Sequence, residues 1–173
     1  KPIVSRHEII YNMKALDVQS KDVAGVAYLD NSGNYQDGGV VDMPQLDESS
    51  LPFAYESEEM ADIQERILYY ETSRGCPFRC AYCLSCATAG VRYRSWQLVQ
   101  QELQFFVNHN VRQVKFVDRT FNAKKQHFMP ILQFIHALPD SCRTNFHFEV
   151  AVDYLDDEVI ALLQSLPKHR VQL

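Results

Sequence analysis

The sequence predicts an α/β fold organised on a parallel sheet, a β/α barrel or part of one. From Ile67 onward, short strand-like runs alternate with apolar residues at helical spacing. Strand, helix, strand, helix at this period implies right-handed parallel crossovers within one sheet. The helical patterns also end on stop signals, Asn110 for the first and Pro167 for the last. At 173 residues the chain is long enough to bury a core of this kind.

In chain order, residues 1–22 carry only a weakly amphipathic stretch (Ile9, Ile10, Tyr11, Met13, Leu16), which reads as a short helix or linker. Val23–Leu29 and Gln36–Val41 flank the turn-rich Asp30–Asn34, the pattern of a small β-hairpin. Asp42–Glu59 holds Pro44, Pro52 and many acids and reads as an irregular connector. We therefore divide the chain into a linker and hairpin segment, 1–66, and a β/α segment, 67–173. Ile67–Thr72 is the first strand of the latter. Ser95 is set to cap a helix bearing Trp96, Val99, Leu103, Phe106 and Val107, with Asn110 able to take the left-handed closing conformation. Val111–Val117, rich in β-branched residues, is the second strand. Phe128, Ile131, Leu132, Ile135 and Leu138 mark a second helix, in which Pro130 is expected to start the main body or kink it. Asn145–Val150 alternates aromatic and polar residues as a third strand. Asp156 caps a third helix with Val159, Ile160, Leu162, Leu163 and Leu166, and Arg170–Leu173 opens a fourth strand.

Composition narrows the function. A formal charge of -5 without a lysine or arginine run gives no nucleic-acid face. No apolar run approaches the roughly 18 residues of a membrane span, and the start has no signal-peptide layout, so the expected compartment is the cytoplasm. Four of the five cysteines crowd into one loop, unlike the dispersed set of a secreted disulfide scaffold.

That loop carries Cys76, Cys80 and Cys83 at spacing C-x3-C-x2-C, followed by Cys86. Thiolates this close converge on one centre, and soft sulfur selects iron-sulfur clusters or zinc. Three thiolates on a four-iron cluster leave one iron open to a cofactor, whereas a four-cysteine site is closed. A zinc site more often shows two separated ligand pairs, and a bacterial ferredoxin run has a different order. The competing reading is a non-enzymatic metal-binding or electron-transfer module, to which Cys86 lends weight. Cys142 stands in a loop with no partner motif.

With Tyr82 before its last ligand, the loop resembles the signature of the radical S-adenosylmethionine enzymes. The words YYETSRGCPFRC (69–80), VKFVDRTFN (114–122) and FHFE (146–149) resemble the subgroup in which a cobalamin-binding domain precedes the radical barrel. Its members are often labelled by similarity to the anaerobic magnesium-protoporphyrin monomethyl ester cyclase. The resemblance covers roughly residues 40–173. It implies that 67–173 is the first half of a radical barrel of about three βα units, with a cobalamin domain upstream and further strands downstream. It also implies a four-iron, four-sulfur cluster that reductively cleaves S-adenosylmethionine to a 5'-deoxyadenosyl radical, used for methyl transfer or cyclisation, with flavodoxin or ferredoxin as electron donor.

Barrel chemistry sits at the carboxyl ends of the strands, which brings the cysteine loop, Asp118–Asn122 and Glu149 to one face. Cys76, Cys80 and Cys83 are the expected ligands and Cys86 a bystander, since relatives commonly carry serine there. By resemblance the backbone near Tyr82 meets the adenine, Asp118 with Thr120 receives the cofactor's ammonium, and Glu149 faces the barrel interior and binds its ribose or methionine part. Each has a plainer reading: a packing aromatic for Tyr82, a cap or an Arg119 partner for Asp118, a satisfied carboxylate for Glu149. His127, His136 and His147 read as ordinary surface or core residues. Arg74 and Arg79 flank the thiols and either tune the centre or solvate the loop. A half barrel is also expected to leave strand edges and the interior faces of Val114, Phe116, Phe146 or Phe148 part-covered, and so to self-associate.

Overall fold

The computed structural model describes residues 26–37, 39, 53–55, 63–83 and 90–173, and the chain divides into two compact units between Ala54 and Tyr55. In the first, β1 (Tyr28–Leu29) pairs antiparallel with β2 (Tyr35–Gln36). The Asp30 carboxylate closes the turn by accepting the N–H groups of Ser32 and Asn34, both at 2.9 Å, and Gly33 supplies the positive φ of 81°. This is the hairpin that Asp30–Asn34 predicts. Residues 1–22 and nearly all of the acidic connector lie outside the described residues.

The second unit contains β3 (Ile67–Tyr70), β4 (Ser73–Gly75), β5 (Val91–Tyr93), α1 (Trp96–Asn108), β6 (Gln113–Phe116), α2 (Lys125–His136), β7 (Asn145–His147), α3 (Asp157–Ser165) and β8 (Val171–Gln172). Its sheet has the order β3-β6-β7-β8, and every pair is parallel, with Tyr70 opposite Phe116, Val114 opposite Phe146 and Phe146 opposite Val171. Sequential strands lie side by side, as in a barrel wall.

The helices follow their periodicity. On α1, Val99, Leu103 and Phe106 are fully buried, and Asn110 takes the left-handed conformation, φ 52°, just past the helix. On α3, Asp156 Oδ1 accepts the Val159 N–H at 3.0 Å, the capping bond its position predicts. Pro130 neither starts α2 nor bounds it; it lies inside. It sits little more than one turn in, where the N–H groups of His127 and Phe128 turn back on the Lys124 carbonyl, so its missing donor removes one helical bond only.

The core is an aromatic layer between sheet and helices. Tyr70 meets Phe106 of α1 edge-on at 5.4 Å and Phe116 at 5.3 Å, and Phe121 stacks on Phe148 at 4.0 Å while tilting against Phe128 of α2 at 5.8 Å. Each such ring contributes about 2–3 kcal/mol through burial. Val114, Phe116, Phe146 and Phe148 are at most 1% exposed, which overturns the expectation that they are left part-covered. They face the helices because only that side offers apolar cover. The opposite face carries Ile67, Tyr69, Gln113, Lys115, Asn145 and His147, with Gln113 bonding Asn145 Oδ1 at 2.7 Å. One sheet edge is also closed: the Tyr55 hydroxyl donates to the Tyr69 carbonyl at 2.9 Å and accepts the Tyr69 N–H at 3.1 Å, occupying outward groups of β3 that would otherwise template another strand.

Candidate functional site

The carboxyl ends of β3, β6 and β7 converge, and the segment after β6 ties them together. Asp118 is 1% exposed. Its Oδ1 accepts from the Thr72 hydroxyl at 2.8 Å and from the Ser73 hydroxyl, and both oxygens lie 3.2 Å from the Thr72 N–H. Two residues on, Thr120 places its hydroxyl 3.7 Å from Cys76 Sγ. Phe121 donates its N–H to the Glu149 carbonyl at 2.9 Å. The buried Asn122 side chain then exchanges a pair of 2.8 Å bonds with the Ala151 backbone. Strand ends adjacent in the sheet are thus laced by one short segment.

The cysteine loop leaves this platform through an antiparallel hairpin that the sequence reading did not contain. Ser73 of β4 lies opposite Tyr93 of β5, and Gly75 opposite Val91. Gly75 has φ 113°, and a Cβ there would stand 2.2 Å from the Gly90 carbonyl oxygen, so only glycine fits immediately before Cys76. The hairpin is anchored to α1 by a buried charge. Glu102, on the same helical face as Val99 and Phe106, accepts the Tyr70 hydroxyl at 2.5 Å and pairs with Arg94 at 2.7 Å. Burial first, then the Glu102 charge, push the Tyr70 phenol well above its ordinary range. A glutamate within the apolar stripe of an otherwise amphipathic helix was the available signal for this anchor.

Cys76 and Cys83 are half-buried and Cys80 is exposed, and none of the three is joined in a disulfide. The Cys83 N–H bonds the Cys80 carbonyl at 3.0 Å, forming a turn between the second and third thiols. Tyr82 is 92% exposed, and Phe78 stacks on Tyr154 at 5.6 Å, joining the loop to the segment after β7. Among the described residues no three cysteine, histidine or carboxylate side chains stand close enough to hold a metal ion. Cys86 lies outside the described residues. The donor set itself fits an iron-sulfur cluster: three reduced thiols on one accessible loop beyond the sheet's carboxyl end, soft ligands of the kind such a cluster requires.

The other expected residues fall as follows. Glu149 lies past β7 on the face opposite the aromatic layer, exposed, with its Oε1 3.8 Å from Lys115 Nζ. Arg74 is paired with Glu71. Asp118, the residue expected at the cofactor's ammonium, is buried with its carboxylate bonded to Thr72 and Ser73. Burial also raises its carboxyl above the usual range, against the hydrogen bonds of Ser73 and Thr72. His127, read as an ordinary residue, joins the same group. Its Nε2 lies 3.0 Å from Thr72 Oγ1 and its ring 4.7 Å from Tyr93, and burial, then Lys124, push it down to about 4.

The radical S-adenosylmethionine methyltransferase TsrM from Kitasatospora setae, solved with cobalamin and a four-iron, four-sulfur cluster bound, superposes with a TM-score of 0.51 at 22% identity over 61% of this chain. The chain has the fold of that enzyme's matched part. An uncharacterized methyltransferase of Pyrococcus horikoshii is 36% identical over 63 residues, 35% of this chain. The chain spans only 21% of the first protein and 14% of the second. No family model matches. Both similar proteins are named as methyltransferases, and neither name supports the cyclase label. Among the described residues no helix is long and apolar enough to cross a membrane.

Proposed function

We propose that this chain is the cluster-bearing part of a radical S-adenosylmethionine methyltransferase, with Cys76, Cys80 and Cys83 as the cluster ligands. The observation that carries the reading is the C-x3-C-x2-C loop leaving the carboxyl end of a parallel sheet whose fold is that of such an enzyme. Held by these three thiols, a four-iron, four-sulfur cluster would supply the electron for reductive cleavage of S-adenosylmethionine.

The chain's own residues do the holding. The Cys80–Cys83 turn and the exposure of Cys80 let the loop fold around a centre, and the Thr120 hydroxyl beside Cys76 supplies a polar neighbour to the first ligand. Tyr82 is free to cover an adenine. Glu149, on the face away from the aromatic layer and close to Lys115, is our choice for the cofactor's ribose or methionine part, with Thr120 as a second contact. The sheet face with Lys115, His147 and Glu149 is polar enough to receive a zwitterionic ligand. Cobalamin, bound in the similar methyltransferase, belongs in this reading to a longer protein, as does the docking of a flavodoxin or ferredoxin donor in the cytoplasm. The half-barrel boundary at Ile67 is part of the same proposal.

Iron and sulfide analysis after anaerobic reconstitution tests the ligand set. Serine replacement of Cys76, Cys80 or Cys83 is expected to abolish cluster assembly, while Cys86→Ser retains it. If Cys86→Ser lost iron as completely as Cys80→Ser, the site would be a closed four-thiolate centre and the metal-binding or electron-transfer reading would replace this one.

A further inference from the structure

We infer that Asp118, Thr72, Ser73 and His127 form a positioning network that sets the arm bearing Cys76 against Thr120, with His127 as its outer member. This rests on the reading of the loop as a cluster site, but the network is defined by bonds already present in the protein.

Proton counting fixes its direction. The Thr72 hydroxyl has one proton and gives it to Asp118 at 2.8 Å. Toward His127 it therefore acts as acceptor, so the imidazole donates through Nε2 at 3.0 Å. The ring is the Nε2–H tautomer, and its other side packs on Tyr93, the residue opposite Ser73 in the β4–β5 hairpin. His127 on α2 thus holds both strands of the hairpin, one through Thr72 and one through Tyr93. Asp118 holds the Ser73 hydroxyl, and the chain beyond Asp118 carries the Thr120 hydroxyl to Cys76. One buried carboxylate consequently controls both sides of the Cys76–Thr120 contact. The buried polar groups of this set are satisfied by one another, and removing one leaves its partner unpaired in a dry environment. His127 lies 55 residues from Thr72, so no local pattern marks their pairing.

The experiment compares Asp118→Asn, His127→Phe and His127→Gln with the parent. Amide hydrogen exchange and Cys76 alkylation relative to Cys80 are measured in cluster-free protein. Paramagnetic resonance spectra with and without S-adenosylmethionine follow on reconstituted protein. Asp118→Asn and His127→Phe are expected to speed exchange over residues 72–76 by about tenfold, with α1 and α3 unchanged. They are also expected to raise the relative reactivity of Cys76 and to alter the spectral response to S-adenosylmethionine. His127→Gln, which can still donate to Thr72, is expected to restore parent behaviour. Unchanged exchange over 72–76, an equal rise throughout the unit, or failure of Gln to rescue where Phe harms would each overturn the inference. If the exchange results hold but the parent gives no cluster spectrum, the network stands and the cluster reading falls.

Discussion

Gly75→Ala is the sharpest perturbation of the arm that carries the first thiol. At φ 113° an L residue is strained, and the new Cβ would meet the Gly90 carbonyl oxygen at 2.2 Å and the Gly90 carbon and Val91 Cα at 3.2 Å. The backbone strain costs about 1–3 kcal/mol and the overlap another ~1–3 kcal/mol. Because the obstructing atoms are backbone, a rotamer change gives no relief; separation of β4 from β5 at the Gly75–Val91 pair does. The loss in global stability is therefore expected at the low end, about 2 kcal/mol, with the remainder appearing as local opening of the hairpin. Urea denaturation followed by circular dichroism reads the first, and amide exchange at residues 73–75 and 91–93 reads the second. Iron incorporation should fall with the hairpin's protection. An alanine variant within about 0.5 kcal/mol of the parent, with unchanged exchange in both strands, would refute the close approach and the role given to Gly75.

Three further outcomes follow from the same structure. Glu102→Gln breaks the buried pair with Arg94 and weakens the bond from Tyr70, and is expected to cost about 3–5 kcal/mol, read as a lowered urea midpoint. Tyr55→Phe removes the phenol that bonds Tyr69 on both its N–H and carbonyl. It is expected to cost about 1–2 kcal/mol, speed exchange at Tyr69 and promote self-association in a light-scattering dilution series; no change in either would show that the β3 edge is guarded otherwise. His127, pushed down to about 4 from an ordinary 6.5, takes up a proton on unfolding below pH 6.5. Its contribution is fully present above that value and is lost as pH falls toward 4, so stability should decline across that window and His127→Phe should flatten the slope. Asp118, whose carboxyl is raised, acts in the opposite sense at the acid end.

Much of the fold was legible because it rests on local periodicity. Val99, Leu103 and Phe106 announce a helix face, Asp156 a cap, Asn110 a left-handed stop, and Asp30–Asn34 a turn, and each does in the structure what its chemistry dictates. The misses share a non-local cause. The β4–β5 strands are too short to show alternation and exist because Gly75 can approach Gly90 across the intervening loop. The facing of Phe116 and Phe146 depends on which side the helices cover. Arg170, read only as the start of a strand, is fully buried and donates to the carbonyls of Ile135, Pro139 and Cys142, capping the end of α2 from a distant part of the chain. At the candidate site the thiol spacing was plain in the sequence, whereas the burial of Asp118 and its partnership with Thr72, Ser73 and His127 required the third dimension.

The proposed function depends on an open-iron cluster at Cys76, Cys80 and Cys83. Electron paramagnetic resonance of the anaerobically reconstituted, reduced protein, recorded with and without S-adenosylmethionine, tests it most directly. The expected result is a four-iron, four-sulfur signal whose line shape changes when S-adenosylmethionine is added and which is lost in Cys80→Ser. A cluster signal indifferent to S-adenosylmethionine, or reconstitution that yields no four-iron signal at all, would contradict it.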